Sequence, residues 1–220
     1  MGDGSDLLNG SFVTGCPWLC ADKIHPQAPL KILMLHGHGQ SGQKLYYKTR
    51  IFHAAIQNQI ATLTNRPVEF VYLDAPICQI PGDFDSRIWV YGSHEEPEIR
   101  GLNESIHHIM SALQNKGPFL GIMGFSTGAT LAVVIASILE NPKRHAEFDV
   151  KTPILHFIGT LDSMIAEPLT LRLAQQCQTQ NIRYFAEGHF VPRHSEIVSE
   201  VAGFIGDSFG SGMISKTGDD

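Results

Sequence analysis

Basic charge, cysteine and long apolar runs are all scarce in this chain of 220 residues, and each scarcity removes a class of function. Lysine and arginine total 16 against 22 aspartates and glutamates, a net charge of −6, whereas a nucleic-acid binder carries a basic excess. Four cysteines, Cys16, Cys20, Cys78 and Cys177, are too few and too scattered for a disulfide scaffold. Cys16 and Cys20 make half a metal site with no second ligand pair beside them, so free thiols in a reducing compartment are expected. The longest apolar stretch, about residues 129–139, is too short to span a bilayer. The opening MGDGSDLLNG has neither the basic nor the apolar region of a secretory signal. Asp6 stands where a myristoylation pattern needs Ser or Thr. The Asn-x-Ser sequons at Asn9 and Asn103 then read as chance matches. A soluble, cytoplasmic protein that binds neither nucleic acid nor membrane is expected.

What is present is an ordinary globular composition, 43% hydrophobic and 17% charged, at a length that favours one domain. Residues 1–28 lack strong periodicity and read as an arm, residues 29–208 as the folded domain, and residues 209–220 as a flexible tail. Short apolar runs at 30–36 (LKILMLH), 68–74 (VEFVYLD), 119–125 (FLGIMGF), 153–159 (PILHFIG) and 182–186 (IRYFA) suit strands covered on both faces. Helical stripes fall between and after them: Leu45, Phe52, Ile56 and Ile60; Leu131, Val134, Ile135 and Ile138; residues 169–177; and Ile197, Val201, Phe204 and Ile205. This alternation predicts a doubly wound α/β fold, a mainly parallel sheet with helices on both faces. Residues 76–100 fit neither period and read as a lid or binding loop.

The first strand runs into LHGHGQSG, in which Gly37, Gly39 and Gly42 spell the dinucleotide fingerprint G-x-G-x-x-G. The third runs into GFSTG, residues 124–128, followed by an apolar helix. That second motif, G-x-S-x-G between strand and helix, forces its serine into a tight turn with its hydroxyl exposed above the sheet. A serine hydroxyl needs a base, and the chain order Ser, then acid, then His predicts where to look. GTLD places Asp162 just past the fourth strand, and EGHFVP places His189 just past the fifth. All three gather on the rim where open α/β sheets bind ligands. Asp149 is the rival acid but precedes its strand. His194 belongs to the last helix. Asp162 as a mere helix cap is the plainer reading.

A serine hydrolase also needs two backbone N–H donors for its oxyanion. Thr127, next to the nucleophile, supplies one. The loop after the first strand, at the pair His36-Gly37, supplies the other from His38. The dinucleotide alternative has Asp74 as its ribose acid, but Asp74 lies 37 residues after Gly37 where about 20 is usual. A phosphate loop fails because Gln43 stands where Lys is required. A metal reading of His36 with His38, or of His107 with His108, lacks further ligands nearby.

These blocks together resemble the FSH-type small serine hydrolases, a fungal-rich branch of the α/β-hydrolase superfamily. The resemblance covers about residues 30–207 and rests on LHGHGQSG, YLDAP at 72–76, GPFLGIMGFSTGA at 117–129, GTLD at 159–162 and GHFVP at 188–192. It implies a compact hydrolase fold without a separate cap domain and a Ser126-Asp162-His189 triad that uses no metal or organic cofactor. It also implies carboxylesterase activity, or thioesterase activity that releases polyketide or other acyl chains in fungal secondary metabolism. Thr127 departs from the Gln often found after the nucleophile, and the arm before residue 29 is extra. The substrate implied is a small acyl ester or thioester, with an acyl-carrier domain as a possible donor.

Phe84, Ile88, Trp89 and Tyr91 in the long loop are candidate pocket residues, with plain packing as their other reading. Lys44, Lys48 and Arg50 at the start of the first helix read equally as a landing patch for an acidic acyl-carrier protein beside the oxyanion loop or as a solvated helix face. A non-catalytic binding module on a hydrolase fold is the remaining alternative.

Overall fold

Five of the sheet strands are the apolar runs of the sequence, and all five run in the same direction. The structure, a computed structural model, describes residues 12–14, 28–92, 99–141, 150–178 and 180–214. Its elements in chain order are β1 (Phe12–Thr14), β2 (Leu30–Leu35), α1 (Gly42–Leu63), β3 (Val68–Leu73), β4 (Ile77–Cys78), β5 (Arg87–Ile88), α2 (Leu102–Lys116), β6 (Phe119–Gly124), α3 (Thr127–Glu140), β7 (Ile154–Gly159), α4 (Glu167–Gln175), β8 (Gln180–Phe185) and α5 (Ser195–Ile214).

The main sheet has six strands in the order β3-β2-β6-β1-β7-β8. Strands β2, β3 and β6 pair in parallel, as do β7 and β8. Between β6 and β7 lies β1, antiparallel to both, with Val13 opposite Gly124 on one side and His156 on the other. Residues 12–14, expected in an arm outside the domain, instead pair within the main sheet. Three residues are too short to display a period, and their pairing partners lie more than 100 positions away. Cys16 and Cys20 lie outside the described residues, as does Asp149. At the other end α5 continues to Ile214, past the expected tail start at residue 209.

Each face of the sheet has its own core, because the side chains of a strand alternate between faces. Leu33, Leu35, Ile122 and Ile154 pack with α2 and α3 through Ile109, Leu131 and Ile135. Ile32, Met34, Met123 and Phe157 pack with α1 and α5 through Phe52, Ile56, Val201 and Ile205. Helix α3 is buried along Thr127–Ser137, which explains why it is apolar almost all round. Among the described residues no helix is long and apolar enough to cross a membrane.

Between β3 and α2 the long loop folds on itself. Strands β4 and β5 form a short antiparallel pair, with Ile77 opposite Ile88. The Arg87 N–H donates to the Gln40 carbonyl, so this hairpin is tied directly to the loop after β2. Two-residue strands escape a reading that depends on alternation over four or more residues.

Candidate functional site

Ser126 occupies the turn between β6 and α3 with φ 53° and ψ −124°, and it is the one non-glycine residue with positive φ among the described residues. Such a conformation costs energy, of order 1–3 kcal/mol, and holds only where the surroundings impose it. They do so here by close approach. A Cβ on Gly124 would fall against the Gly128 carbonyl, and one on Gly128 would fall against the Leu35 and His36 carbonyls. The two glycines of GFSTG therefore let the turn close and seat it against the end of β2.

The His189 ring reaches Ser126 from the loop after β8. Its Nε2 lies 2.9 Å from Ser126 Oγ, and its Nδ1 lies 2.8 Å from Asp162 Oδ2. Nδ1–H donating to the carboxylate leaves Nε2 as acceptor for the serine hydroxyl. Asp162 follows β7, and its second oxygen Oδ1 accepts the N–H groups of Met164 and Ile165, each at 2.9 Å. The capping role weighed from sequence thus coexists with the His contact, one oxygen for each. It caps a turn and not α4, whose N-cap is Ala166. Phe125 packs beside the imidazole, ring centroids 5.0 Å apart. His194 sits just before α5 and pairs with Glu187 at 3.0 Å.

Beside the serine stands the loop after β2. Neither His38 nor Thr127 donates a backbone hydrogen bond from its N–H among the described residues. The loop is held by His36, which is fully buried. Its Nδ1–H donates to the Gly37 carbonyl at 2.7 Å, and its Nε2 accepts from the Ala75 N–H at 3.0 Å. In a trans peptide the C=O and the next N–H point opposite ways. Fixing the Gly37 carbonyl therefore fixes the direction of the His38 N–H. Burial holds the His36 pKa down at about 4, which keeps the ring in the neutral form these bonds require. Sequence reading gave His36 no role beyond structure or solvation. The Ala75 bond spans 39 positions and has no local signal.

The glycine-rich loop therefore shapes the turn beside Ser126. Asp74, the residue a ribose would need, accepts from the Gly42 N–H at 2.7 Å at the start of α1. Ser41 Oγ accepts from the Lys44 N–H as the cap of the same helix. His108 bonds the Asp74 carbonyl and His107 the Asn103 carbonyl.

An apolar cleft opens on the α3 side of Ser126, lined by Trp89, Ile99, Leu102, Thr127, Leu131 and Val134, with an enclosed part of about 20 Å³. That is room for about one water molecule. The Thr127 and Thr130 hydroxyls are buried there with no hydrogen-bond partner among the described residues. Of the four candidate pocket residues only Trp89 lines this cleft. Ile88 is buried in β5, while Phe84 and Tyr91 are 73% and 44% exposed with Arg87 and Arg100 over their rings. Phe84 lies in the turn between β4 and β5 and Tyr91 lies past β5, so neither ring follows a strand period, and spacing in a loop does not predict their exposure.

Residues 26–150 and 143–201 match the family model described as Serine hydrolase (FSH1). The chain belongs to this family. It is a hydrolase, with the α/β-hydrolase fold. It is similar to Esterase OVCA2 of Homo sapiens, 28% identical with 76% of this chain and 91% of the relative aligned. Family of serine hydrolases 2 of Saccharomyces cerevisiae is likewise 28% identical, over 78% of this chain and 95% of its own. Esterase FUS5 of Gibberella fujikuroi is 25% identical, over 80% and 85%. The FSH1 match begins before β2 and so leaves out β1, the strand this chain places mid-sheet.

Proposed function

We propose that this FSH1 hydrolase cleaves a small acyl ester or thioester by two-step acyl transfer through Ser126, His189 and Asp162. The observation that carries the reading is the pair of contacts on one imidazole, 2.9 Å to Ser126 Oγ and 2.8 Å to Asp162 Oδ2. His189 takes the hydroxyl proton as Ser126 Oγ attacks the carbonyl carbon. The N–H groups of His38 and Thr127 receive the oxyanion, and Asp162 holds the imidazole in the tautomer that accepts at Nε2. The tetrahedral intermediate collapses as His189 gives its proton to the departing alcohol or thiol. Water, deprotonated by the same nitrogen, then frees the acid. The open part of the apolar cleft along α3, outside its water-sized enclosed end, takes the acyl chain. The resemblance to polyketide-releasing members is the basis for placing that chain among acyl products of secondary metabolism, with an acyl-carrier domain as one donor.

Intact mass after fluorophosphonate treatment tests this, on wild type and Ser126→Ala, beside turnover of p-nitrophenyl esters and N-acetylcysteamine thioesters of rising chain length. One adduct in wild type, none in the variant, and a loss of turnover of at least ~10³-fold are expected. Turnover retained by the purified variant removes Ser126 from the mechanism. Ligand affinity without turnover in wild type favours a binding module.

A further inference from the structure

A second, wider cleft adjoins the site on the side of His189. It measures about 520 Å³ and is lined by Lys48, Glu187, Gly188, Phe190, Val191 and Arg193, so its wall includes both chain neighbours of His189. Lys48 Nζ lies 5.1 Å from the centroid of the Phe125 ring, and that ring lies 5.0 Å from the imidazole. The cleft floor is thus one aromatic ring away from the reacting atoms.

Its charge is unbalanced. Lys48 and Arg193 make no ion pair with a carboxylate among the described residues. Lys44, the next cation along α1, spends its amine on the Asp85 carbonyl at 2.8 Å. The one carboxylate in the wall, Glu187, is already engaged by His194 at 3.0 Å. Partial burial, then Arg193 and then Lys44, pull the Lys48 pKa below its ordinary value. In a chain of net charge −6 such a cluster runs against the overall field. Two cations against one carboxylate leave the open cleft net positive, and an anion that enters it is stabilised.

The position of the cleft says which half of the substrate brings that anion. In acyl transfer the imidazole hands its proton to the leaving group, so the leaving group departs past His189. The acyl chain has the apolar cleft along α3. We propose that the Lys48–Arg193 cleft binds an anionic group, carboxylate or phosphate, carried on the alcohol or thiol that leaves. This rests on the acyl-transfer reading above and narrows its substrate to esters or thioesters with an acidic leaving portion.

Two matched pairs sharing one butyryl group separate the sources. Butyryl 4-hydroxybenzoate against its methyl ester isolates the carboxylate. Butyryl-coenzyme A against butyryl-N-acetylcysteamine isolates the phosphate. In at least one pair wild-type kcat/KM favours the anionic member by ~10-fold or more at low salt, equivalent to about 1.4 kcal/mol. The ratio falls to about one in the Lys48→Met, Arg193→Met double variant and shrinks in 0.5 M salt. Calorimetric titration of Ser126→Ala with 4-hydroxybenzoate and with coenzyme A reads the same site without turnover, and the double substitution abolishes the binding heat. Ratios near one in both wild-type pairs, or a preference that survives the double substitution, overturn the proposal. A preference for p-nitrophenyl hemisuccinate over the butyrate in place of either pair moves the anion to the acyl side and overturns it as well. Failure of the acyl-transfer reading looks different: neutral esters are then untouched, or are cleaved equally by Ser126→Ala, whatever the titrations report.

Discussion

The Trp89 indole Nε1–H donates to the His36 carbonyl at 2.8 Å, with the two rings 5.1 Å apart. This bond ties the long loop to the turn that carries His38. Trp89 is itself fixed from behind, since its carbonyl accepts from Ser105 Oγ on α2. Trp89→Phe keeps the aromatic bulk and leaves a buried carbonyl without its donor, a loss of about 1–3 kcal/mol of stability. Ester turnover is expected to drop ~10-fold through kcat more than KM, because oxyanion contacts form in the transition state. Steady-state kinetics beside thermal melts check both halves.

Gly128 and Gly203 make opposite predictions for the same substitution. A Cβ at Gly128 meets the Leu35 and His36 carbonyls, whereas at Gly203, inside α5, it meets nothing within 4 Å. Gly128→Ala forces β2 and α3 apart and is expected to abolish soluble folded protein or cost more than ~3 kcal/mol. Gly203→Ala gains about 0.5–1 kcal/mol from reduced chain entropy. Urea midpoints decide between them.

Stability should fall on acidification through a defined window. Burial holds both His36 and His156 at about 4, against 6.5 in an unfolded chain. Between pH ~6.5 and ~4 the unfolded chain binds protons that the folded chain refuses. The contribution of these rings is therefore fully present above pH ~6.5 and is lost downward at up to about 1.4 kcal/mol per pH unit for each. Among the described residues neither His156 nitrogen has a hydrogen-bond partner, so His156→Leu is expected to be neutral or stabilising at pH 7 and to flatten this slope. Denaturation at pH 8, 7, 6 and 5 measures it.

Removing residues 1–15 tests the strand in the middle of the sheet. Ser126 follows β6, while Asp162 and His189 follow β7 and β8, and β1 is the hydrogen-bonded link between the two groups of strands. Without it the distances within the site lose their frame, and fluorophosphonate labelling is expected to slow ~10-fold or more. Val13→Pro in the full chain, which deletes one N–H from the ladder, should fall between the two. Labelling of the truncated chain at the wild-type rate would show that β1 is dispensable.

The sequence by itself determined the elements and motifs whose information is local. Strands β2, β6 and β7 were legible as nearly continuous apolar runs, because strands inside the sheet are covered on both faces, while the edge strands β3 and β8 showed as shorter runs broken by Glu69 and Arg183. Ser126 was legible because a turn with positive φ needs small neighbours two positions away on each side, which writes the motif directly into the chain. Asp162 and His189 followed from a parallel topology, which delivers every strand end to one rim. Only the tertiary structure decided the rest. Strand β1 is three residues long and acquires its place from partners at 123–124 and 155–157. Trp89 faces the cleft while Phe84 and Tyr91 face solvent because a hairpin, and not a period, sets their directions. His36 becomes the lock of the turn after β2 through bonds to Ala75 and Gly37. Lys48 and Arg193, on α1 and just before α5, meet only because those helices pack side by side. Contacts between distant positions are fixed by packing and charge across space, and no short window of sequence carries them.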